Sequence, residues 1–330
     1  MKIITVKDPP TKILAEHHPV RCDTKEEAET MYRKTNPDVL LAGMSSLALG
    51  PYAMAHITTL AHHDKKKIIC FQDYWANHRN PQNRPLLRFW DAVIAPDDLA
   101  KKYLLEDGYR GEIFVTGNPA FQKFANVDVQ SERMRLRKQF NVPHDAWVVL
   151  YAGTGTPQTV RADEATLRFL AEGMRAFAKQ IPHFFCVVRP HPRDEHPDRY
   201  AQFLEGIATI NTSSIPFADT LLPIADTVVS MFSTSLLHAC LLRIPAVSIL
   251  LPQAGRKQLQ TLSLSDFPPN LVGASAGIYT EDRANLVSTL LRVRNDEAWR
   301  KEMALAQKKF SLIYAEKPAE RVADAVARML

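Results

Sequence analysis

Short apolar runs alternate with amphipathic and polar stretches over the first part of the chain. The runs predicted as buried strands cover residues 3–6, 38–43, 67–73, 92–96 and 112–117. Helical spacing covers residues 24–35 and 51–63. Because alternating strands and helices build parallel sheets with helices on both faces, this pattern predicts a doubly wound α/β domain.

The pattern loosens after the Gly-Asn-Pro at 117–119 and then starts again. The polar stretch 120–145, with a helix near 131–139, is interpreted as the junction of two domains. Further strands are predicted at 146–153, 184–190, 225–231 and 245–251, and helices at 163–180, 234–243, 281–293, 296–312 and 318–330. Two doubly wound halves of this kind predict an interdomain cleft at the carboxyl ends of their strands.

Composition agrees with a globular protein of two domains. The 330 residues are 46% hydrophobic and 23% charged, and the net charge is +5. This mild excess favours anionic substrates, or weak contact with an anionic membrane surface, over nucleic acid. The basic run Arg133, Arg135, Arg137 and Lys138 is interpreted as a solvated helix face.

The cysteines and the apolar stretches indicate the compartment. The four cysteines form no C-x-x-C pair, which favours free thiols in a reducing environment. The first residues lack the apolar core of a signal peptide, and no stretch approaches the roughly 20 apolar residues of a membrane span. We therefore expect a cytoplasmic protein. No histidine, cysteine and carboxylate group has the spacing of a metal site, so no metal or cofactor is expected.

Three strand ends in the second half carry candidate chemistry. In YAGTGTPQT, the small residues Gly153, Thr154 and Gly155 would let backbone N–H groups approach an anion, although a plain turn explains them equally well. In SMFSTSLLH, one of Ser233, Thr234 and Ser235 is needed as a helix cap. Three hydroxyls exceed that need, which favours a phosphate site.

The third strand end, VVRPHP, places two polar side chains between prolines. Arg189 has a guanidinium that can donate two hydrogen bonds to one phosphate. His191 can donate to a phosphate or act as an acid or base near neutral pH. The prolines restrict the backbone and would hold both side chains at the strand end.

A fourth strand end lies in the first domain, in FQDYWANHR. Asp73 could take a proton from an acceptor hydroxyl, or it could cap the next turn. Tyr74 and Trp75 could stack on a sugar or simply pack, and His78 and Arg79 are further candidates.

The stretches VTGNPAF, VVLYAGTG, VVRPHP and ADTVVSMFSTSLLHACLLRIPAV, in this order, resemble the GT-B superfamily. This superfamily includes nucleotide-sugar glycosyltransferases, UDP-N-acetylglucosamine 2-epimerases and CDP-glycerol glycerophosphotransferases. The resemblance covers most of the chain and implies two Rossmann-like domains. It implies an acceptor-side domain at 1–125, a nucleotide-binding domain at 126–317, and a helix at 318–330 that crosses back to the first domain.

The resemblance also implies residue roles. Gly153 and Thr154 would approach the donor phosphates, and Arg189 and His191 would face the phosphate or the transferred group. The hydroxyls of 233–235 would bind the diphosphate, and Asp73 would lie on the acceptor side. Many relatives hold the ribose with a glutamate where this chain has His238, so the nucleotide preference stays open.

Taken together, these features predict a metal-independent glycosyltransferase that uses a nucleotide-activated sugar. Its acceptor would be a glycan, a lipid-linked group or a protein, in the synthesis of a surface polysaccharide or glycoconjugate. Asp73 would act as base, or His191 would assist departure of the leaving group. The alternatives are a sugar-nucleotide 2-epimerase, a glycerophosphotransferase, and a binding protein that has lost catalysis.

Overall fold

The computed structural model describes residues 3–6, 19–20, 24–44, 51–72, 75–81, 83–154, 159–181, 183–191, 194–212, 220–263, 278–280 and 282–329. The strands are β1 Ile3–Val6, β2 Pro19–Val20, β3 Val39–Met44, β4 Lys67–Gln72, β5 Ala92–Ala95, β6 Glu112–Val115, β7 Trp147–Ala152, β8 Phe184–Arg189, β9 Thr209–Asn211, β10 Thr227–Ser230, β11 Ala246–Ile249 and β12 Ile278–Thr280. The α-helices are α1 Lys25–Thr35, α2 Pro51–His63, α3 Asp98–Glu106, α4 Val129–Gln139, α5 Val160–Ala178, α6 Arg199–Phe203, α7 Thr234–Leu241, α8 Lys257–Ser263, α9 Arg283–Asn295, α10 Glu297–Ala315 and α11 Pro318–Met329.

The chain divides into two compact units. Unit 1 consists of Met1–Lys123 together with Leu312–Leu330, and unit 2 consists of Phe124–Ser311. Each unit contains one six-stranded sheet, in the orders β2-β1-β3-β4-β5-β6 and β12-β11-β10-β7-β8-β9. All strand pairs are parallel, as the alternating pattern of the sequence predicts.

The sheet of unit 1 is buried on both faces. One face, with Leu40, Ile68 and Val93, packs against α1, α2 and α3. The other face, formed by the alternate residues of the same strands, packs against Val322 and Val326 of α11. Because side chains alternate between the two faces of a strand, a strand covered on both sides needs an unbroken apolar run. That requirement explains runs such as VLLAG and KIICF.

The sheet of unit 2 has the same organisation around a larger core. Val149, Tyr151 and Val188 project from the central strands, and α5 and α9 contribute apolar side chains to the same cluster. Tyr151 is fully buried. Because the strands are parallel, the carboxyl ends of the central strands in each unit lead into loops at the same edge of that unit's sheet. Ligands of open α/β folds bind at these loops.

Local sequence signals fix several helix ends. Thr24 and Glu27 form a capping box at the start of α1, and Asn36 ends this helix in the left-handed conformation. Asp97 caps α3 by accepting a hydrogen bond from the Ala100 N–H at 2.7 Å, and the Tyr314 hydroxyl donates to its carboxylate. These caps satisfy N–H groups that no helical carbonyl can reach.

The basic run at the start of unit 2 is not a uniformly solvated face, so that interpretation was wrong. Arg135 and Lys138 are exposed, but Arg137 is buried. Its guanidinium donates to the carboxylate of Asp226 at 2.8 Å and to backbone carbonyls, including that of Ala146 at 3.1 Å. Arg133 donates to two further carbonyls of the same segment. Through these hydrogen bonds, Arg133 and Arg137 connect α4 to the turn that precedes β10.

Candidate functional site

Three of the predicted strand ends lie side by side at one edge of the sheet in unit 2. Strand β7 pairs with β8 so that Ala152 lies opposite Arg189, and it pairs with β10 on its other side. The Ser230 hydroxyl at the end of β10 donates to the Ala152 carbonyl at 2.5 Å. The structure therefore brings the turn at Gly153, the Arg189 segment and the start of α7 to a common edge.

The turn at Gly153 packs tightly against a tyrosine. A Cβ atom on Gly153 would lie 2.7 Å from Oη of Tyr200, so glycine is required by this approach. The Gly153 N–H donates to the Arg189 carbonyl at 2.8 Å, and the Thr154 N–H donates to the Asp163 carboxylate at 2.9 Å. Both N–H groups therefore have partners within the protein. Gly155, the third predicted residue of this turn, lies outside the described residues.

A buried carboxylate organises this turn. Asp163, in the first turn of α5, is fully buried and accepts hydrogen bonds from the hydroxyls of Tyr151, Thr154 and Tyr200 at 2.8, 2.9 and 2.6 Å. The Tyr200 hydroxyl also contacts the Asp194 carboxylate at 2.7 Å. Burial, and then the charge of Asp163, raise the pKa of Tyr200, so its hydroxyl keeps its proton at neutral pH. These bonds fix the shape of the Gly153 turn.

Sequence reasoning missed Asp163 and Tyr200. The only signal at Asp163 is an acidic residue near a helix start, which ordinarily reflects the helix dipole. Tyr200 lies 37 positions further along, and nothing in the spacing links the two residues.

Arg189 ends β8 and is almost completely buried, with 5% of its surface exposed. One terminal nitrogen lies 3.4 Å from the Thr212 carbonyl, and the Thr212 hydroxyl donates to the Val188 carbonyl at 2.7 Å. Burial lowers the pKa of the Arg189 guanidinium, but arginine remains charged at physiological pH. A charge with so little water around it interacts strongly with any anion that reaches it. His191 follows two residues later and is half-buried.

The start of α7 shows which of its three hydroxyls serves as the cap. Ser233 is the N-cap, with its Oγ accepting from the Ser235 N–H at 3.2 Å, and its hydroxyl also lies 3.2 Å from that of Ser235. Ser235 is buried, whereas Thr234 is exposed at the first helical position. Thr234 therefore presents its hydroxyl and the positive end of the helix to the surroundings.

His238 lies one helical turn after Thr234. Its ring is half-buried and stacks on Phe124, with 4.7 Å between the ring centroids and 36° between the ring planes. The contact with Phe124 restricts the orientation of the imidazole. His238 and Thr234 lie on the same face of α7, because residues four apart share a helix face.

In unit 1, the segment after β4 is held by a buried polar chain. Asp73 and Tyr74, predicted there, lie outside the described residues. The Gln72 amide donates to Nδ1 of His78 at 2.9 Å, so the other ring nitrogen carries the proton and donates to Asp107 at 2.8 Å. Burial lowers the pKa of His78 despite this carboxylate. Arg79 completes the chain with a 2.6 Å bond to Asp107.

The contacts of His78 and Arg79, which the sequence offered as further candidates, give both residues a structural role. The His78 ring is fully buried and Arg79 also lies over the Tyr103 ring, 4.2 Å from its centroid. Trp75 packs against the core of unit 1.

The described residues contain neither a cluster of metal ligands nor a membrane-spanning helix. No group of three or more histidine, cysteine, aspartate or glutamate side chains in the described part of the chain could hold a metal ion. Among the helices that the structure describes, none is long and apolar enough to cross a membrane.

No known family model matches this chain, and no curated protein matches it. Solved structures do. The UDP-GlcNAc 2-epimerase from Neisseria meningitidis, bound to UDP-GlcNAc, is 12% identical, with a TM-score of 0.67 over 99% of this chain and 100% of that chain. The UDP-GlcNAc 2-epimerase from Methanocaldococcus jannaschii is 16% identical, with a TM-score of 0.66 and 99% of each chain covered. The wall teichoic acid polymerase TagF is 15% identical, with a TM-score of 0.61 over 99% of this chain and 88% of that chain.

These similarities extend over nearly the whole chain and over nearly the whole of each solved structure. They agree with the two parallel sheets described above and with the resemblance carried by the four sequence stretches. The protein has the fold of the GT-B superfamily.

Proposed function

We propose that the chain is a metal-independent glycosyltransferase that uses a nucleotide-activated sugar. The observation that carries this proposal is the convergence of Arg189, the Gly153 turn and the start of α7 at one sheet edge. A nucleoside diphosphate gains negative charge as it leaves the sugar. A buried arginine and a helix N-terminus that lie at the same edge of a sheet would stabilise such charge in the transition state without a metal ion.

In this proposal each candidate residue has a distinct role. Arg189 and the first turn of α7 bind the diphosphate, with Thr234 donating from its exposed hydroxyl and N–H. His191 contacts the transferred group or assists departure of the leaving group. His238 donates to the ribose. Asp73 is proposed as the base that takes the proton of the acceptor hydroxyl in an inverting displacement.

The solved structures support a nucleotide-linked substrate and also provide the rival reactions. The Neisseria structure contains UDP-GlcNAc, and its similarity over the full chain favours 2-epimerisation as the second candidate. The similarity to the polymerase TagF favours transfer from a CDP-linked donor to a growing surface polymer. A donor-only incubation separates these reactions, because an epimerase converts the donor without an acceptor and a transferase does not.

The first test is the thermal shift of the protein with UDP-, GDP-, CDP-, ADP- and TDP-linked compounds. A ligand of the native state raises the melting temperature, by an amount that corresponds to about 2.7 kcal/mol at a concentration of 100 Kd. We expect one base to give a rise that Arg189→Ala abolishes. Arg175→Ala is the matched control, since this arginine of unit 2 is exposed and donates to the Phe203 carbonyl at 2.8 Å. No shift with any compound would contradict the proposal.

A second test isolates the N–H group at the start of α7. Proline is tolerated at the first helical position, and Ser233, at φ −60° and ψ 147°, already has the conformation that a following proline requires. Thr234→Pro therefore removes the N–H and the hydroxyl and keeps the helix, whereas Thr234→Ala removes only the hydroxyl. Loss of a hydrogen bond to a phosphate costs about 1.5–3 kcal/mol, so Thr234→Pro should weaken nucleotide binding by tenfold or more. Equal binding by both variants would remove this N–H from the site.

A further inference from the structure

A second concave surface lies in unit 2, away from the strand ends described above. It is a groove of about 600 Å³ lined by residues at which strands begin, among them Trp147, Asp226 and Pro245. These positions open or directly precede β7, β10 and β11, whereas the candidate phosphate site lies at the opposite ends of the same strands. A ligand in this groove would therefore be separate from the proposed donor.

About half of the groove's lining is apolar. Its lining includes Phe124, Leu241, Leu242, Ile244 and Met303. All five side chains are less than a tenth exposed, so they are held in the packed interior and present only an edge to the groove. A surface of this kind favours the apolar body of a ligand, because its burial removes apolar area from water.

Cations also line the groove. Arg243, Arg300 and Lys301 all contribute to its lining. Lys301 pairs with Glu297 at 2.8 Å, and both side chains of that pair are largely exposed. Arg300 donates to the backbone carbonyls of Val293 and Arg294. Within the part of the chain that the structure describes, neither Arg243 nor Arg300 forms a salt bridge.

The carboxylates of the groove already have partners. Asp226 accepts from Arg137 at 2.8 Å, and Asp128 caps α4 by accepting from the N–H groups of Gln130 and Ser131. Glu297 is engaged by Lys301. Four cations and three carboxylates line the groove, so its net charge is positive.

Arg243 is also conformationally unusual. It follows the end of α7 with φ of +60°, in the left-handed region that glycine adopts at lower cost. Its side chain is exposed and lines the groove. Because glycine also fits this backbone conformation, Arg243→Gly can remove the cation from the groove without new backbone strain.

We propose that this groove binds a small amphipathic anion. Its apolar body packs between Leu242, Ile244 and Met303, and its anionic group faces Arg243 and Arg300. A carboxylate, sulfonate or phosphate on an aromatic or acyl body has this chemistry.

The probe for the test is 8-anilinonaphthalene-1-sulfonate, an aromatic sulfonate whose fluorescence rises in apolar surroundings. The full-length wild-type protein is titrated and compared with Arg243→Gly. Glycine fits the left-handed position, so this variant keeps the fold while it removes the charge. We expect binding to weaken by about fivefold, the loss typical of a partly exposed ion pair. The neutral analogue N-phenyl-1-naphthylamine should bind both proteins equally.

Two controls assign the effect to the groove. Lys65→Gly makes the same chemical change at another left-handed position, φ +55°, in unit 1 and should leave sulfonate binding unchanged. Ala304→Phe places a ring in the groove and should weaken both probes. Equal sulfonate affinity in wild type and Arg243→Gly, or undiminished binding in Ala304→Phe, would overturn the proposal. Melting curves of each variant show that the fold persists during the titration.

Discussion

The close approach of Tyr200 to Gly153 yields a quantitative prediction. In Gly153→Ala the new Cβ would lie 2.7 Å from Oη of Tyr200, whereas ordinary van der Waals contact begins at 3.4 Å, so the ring must retreat by about 0.7 Å. The ring is not free to retreat. Its hydroxyl lies 2.6 Å from the Asp163 carboxylate and 2.7 Å from that of Asp194. Overpacking of a well-packed interior costs about 1–3 kcal/mol, and stretched hydrogen bonds to carboxylates add to that cost.

We therefore expect Gly153→Ala to lower the free energy of unfolding by about 2–3 kcal/mol. For a unit of this size that corresponds to a fall in melting temperature of roughly 4–12 °C, from 2–4 °C per kcal/mol. Chemical denaturation followed by circular dichroism measures the free energy, and a thermal scan measures the melting temperature. The comparison variant is Gly173→Ala in α5, where the added Cβ meets Cδ2 of the buried Leu286 at 2.8 Å, a side-chain end that no hydrogen bond holds in place. There the gain in helix propensity of about 1 kcal/mol offsets part of the cost of overpacking.

A double mutant distinguishes the clash from other causes. Tyr200→Phe removes the oxygen that the new Cβ would meet, so Gly153→Ala should cost less in that background than in wild type. The difference is the coupling energy of the pair, which we expect to exceed about 0.5 kcal/mol, as is usual for residues in contact. If Gly153→Ala costs no more than Gly173→Ala, or if the effects of Gly153→Ala and Tyr200→Phe are additive, the tight approach does not explain the glycine.

Three further predictions concern stability. Arg137→Ala should lower the free energy of unfolding in urea by about 2–3 kcal/mol, because it removes the hydrogen bonds from the guanidinium to the Asp226 carboxylate and to the Ala146 carbonyl. Among the described residues, the Asp226 carboxylate then keeps only the Val148 N–H and the more distant Arg133. Arg135→Ala on the exposed face of the same helix should be nearly neutral. Lys65→Gly should raise the free energy of unfolding by about 1 kcal/mol, because the left-handed strain at φ +55° disappears. A fall in the melting temperature of this variant would refute the prediction. Burial lowers the pKa of His78 in the folded state, so the unfolded chain binds a proton more readily than the folded one. The free energy of unfolding should therefore fall as the pH drops below the ordinary histidine pKa of 6.5. His78→Gln should flatten this dependence in denaturation curves measured between pH 7 and pH 5.

The fold could be predicted from the sequence because its signals are local and periodic. Apolar runs such as 39–44 and 67–72 are buried on both faces, and that burial demands uninterrupted apolar residues. The elements that escaped prediction lack this periodicity. Strands β9 and β12 have only three residues each, and α3 is a nine-residue helix directly after a strand. In these cases pairing with neighbours, and the Asp97 cap, decide the structure.

The location of the candidate site could be predicted from the sequence, but the hydrogen bonds within it could not. Parallel strands end at one edge, so topology places Arg189, the Gly153 turn and the start of α7 at the same edge of the sheet. Topology does not determine the hydrogen bonds among those residues. The links from Asp163 to Tyr200 and from Arg137 to Asp226 span 37 and 89 positions, and long-range pairs of this kind leave no pattern in a single sequence.

Some backbone N–H groups at the strand ends already donate hydrogen bonds within the protein, which limits how an anion can be bound there. The Gly153 N–H is bound to the Arg189 carbonyl and the Thr154 N–H to Asp163, and the absence of a side chain at 153 accommodates Tyr200. A glycine-containing turn after a strand is usually taken as a cradle for phosphate, because its N–H groups are free to point at the ligand. At positions 153 and 154 those groups have structural partners instead. The proposed contacts with an anion at this edge therefore rest on Arg189, His191 and the exposed start of α7, and not on the N–H groups of positions 153 and 154. Thr234→Pro and Arg189→Ala test recognition of the anion more directly than a change at either of those two positions.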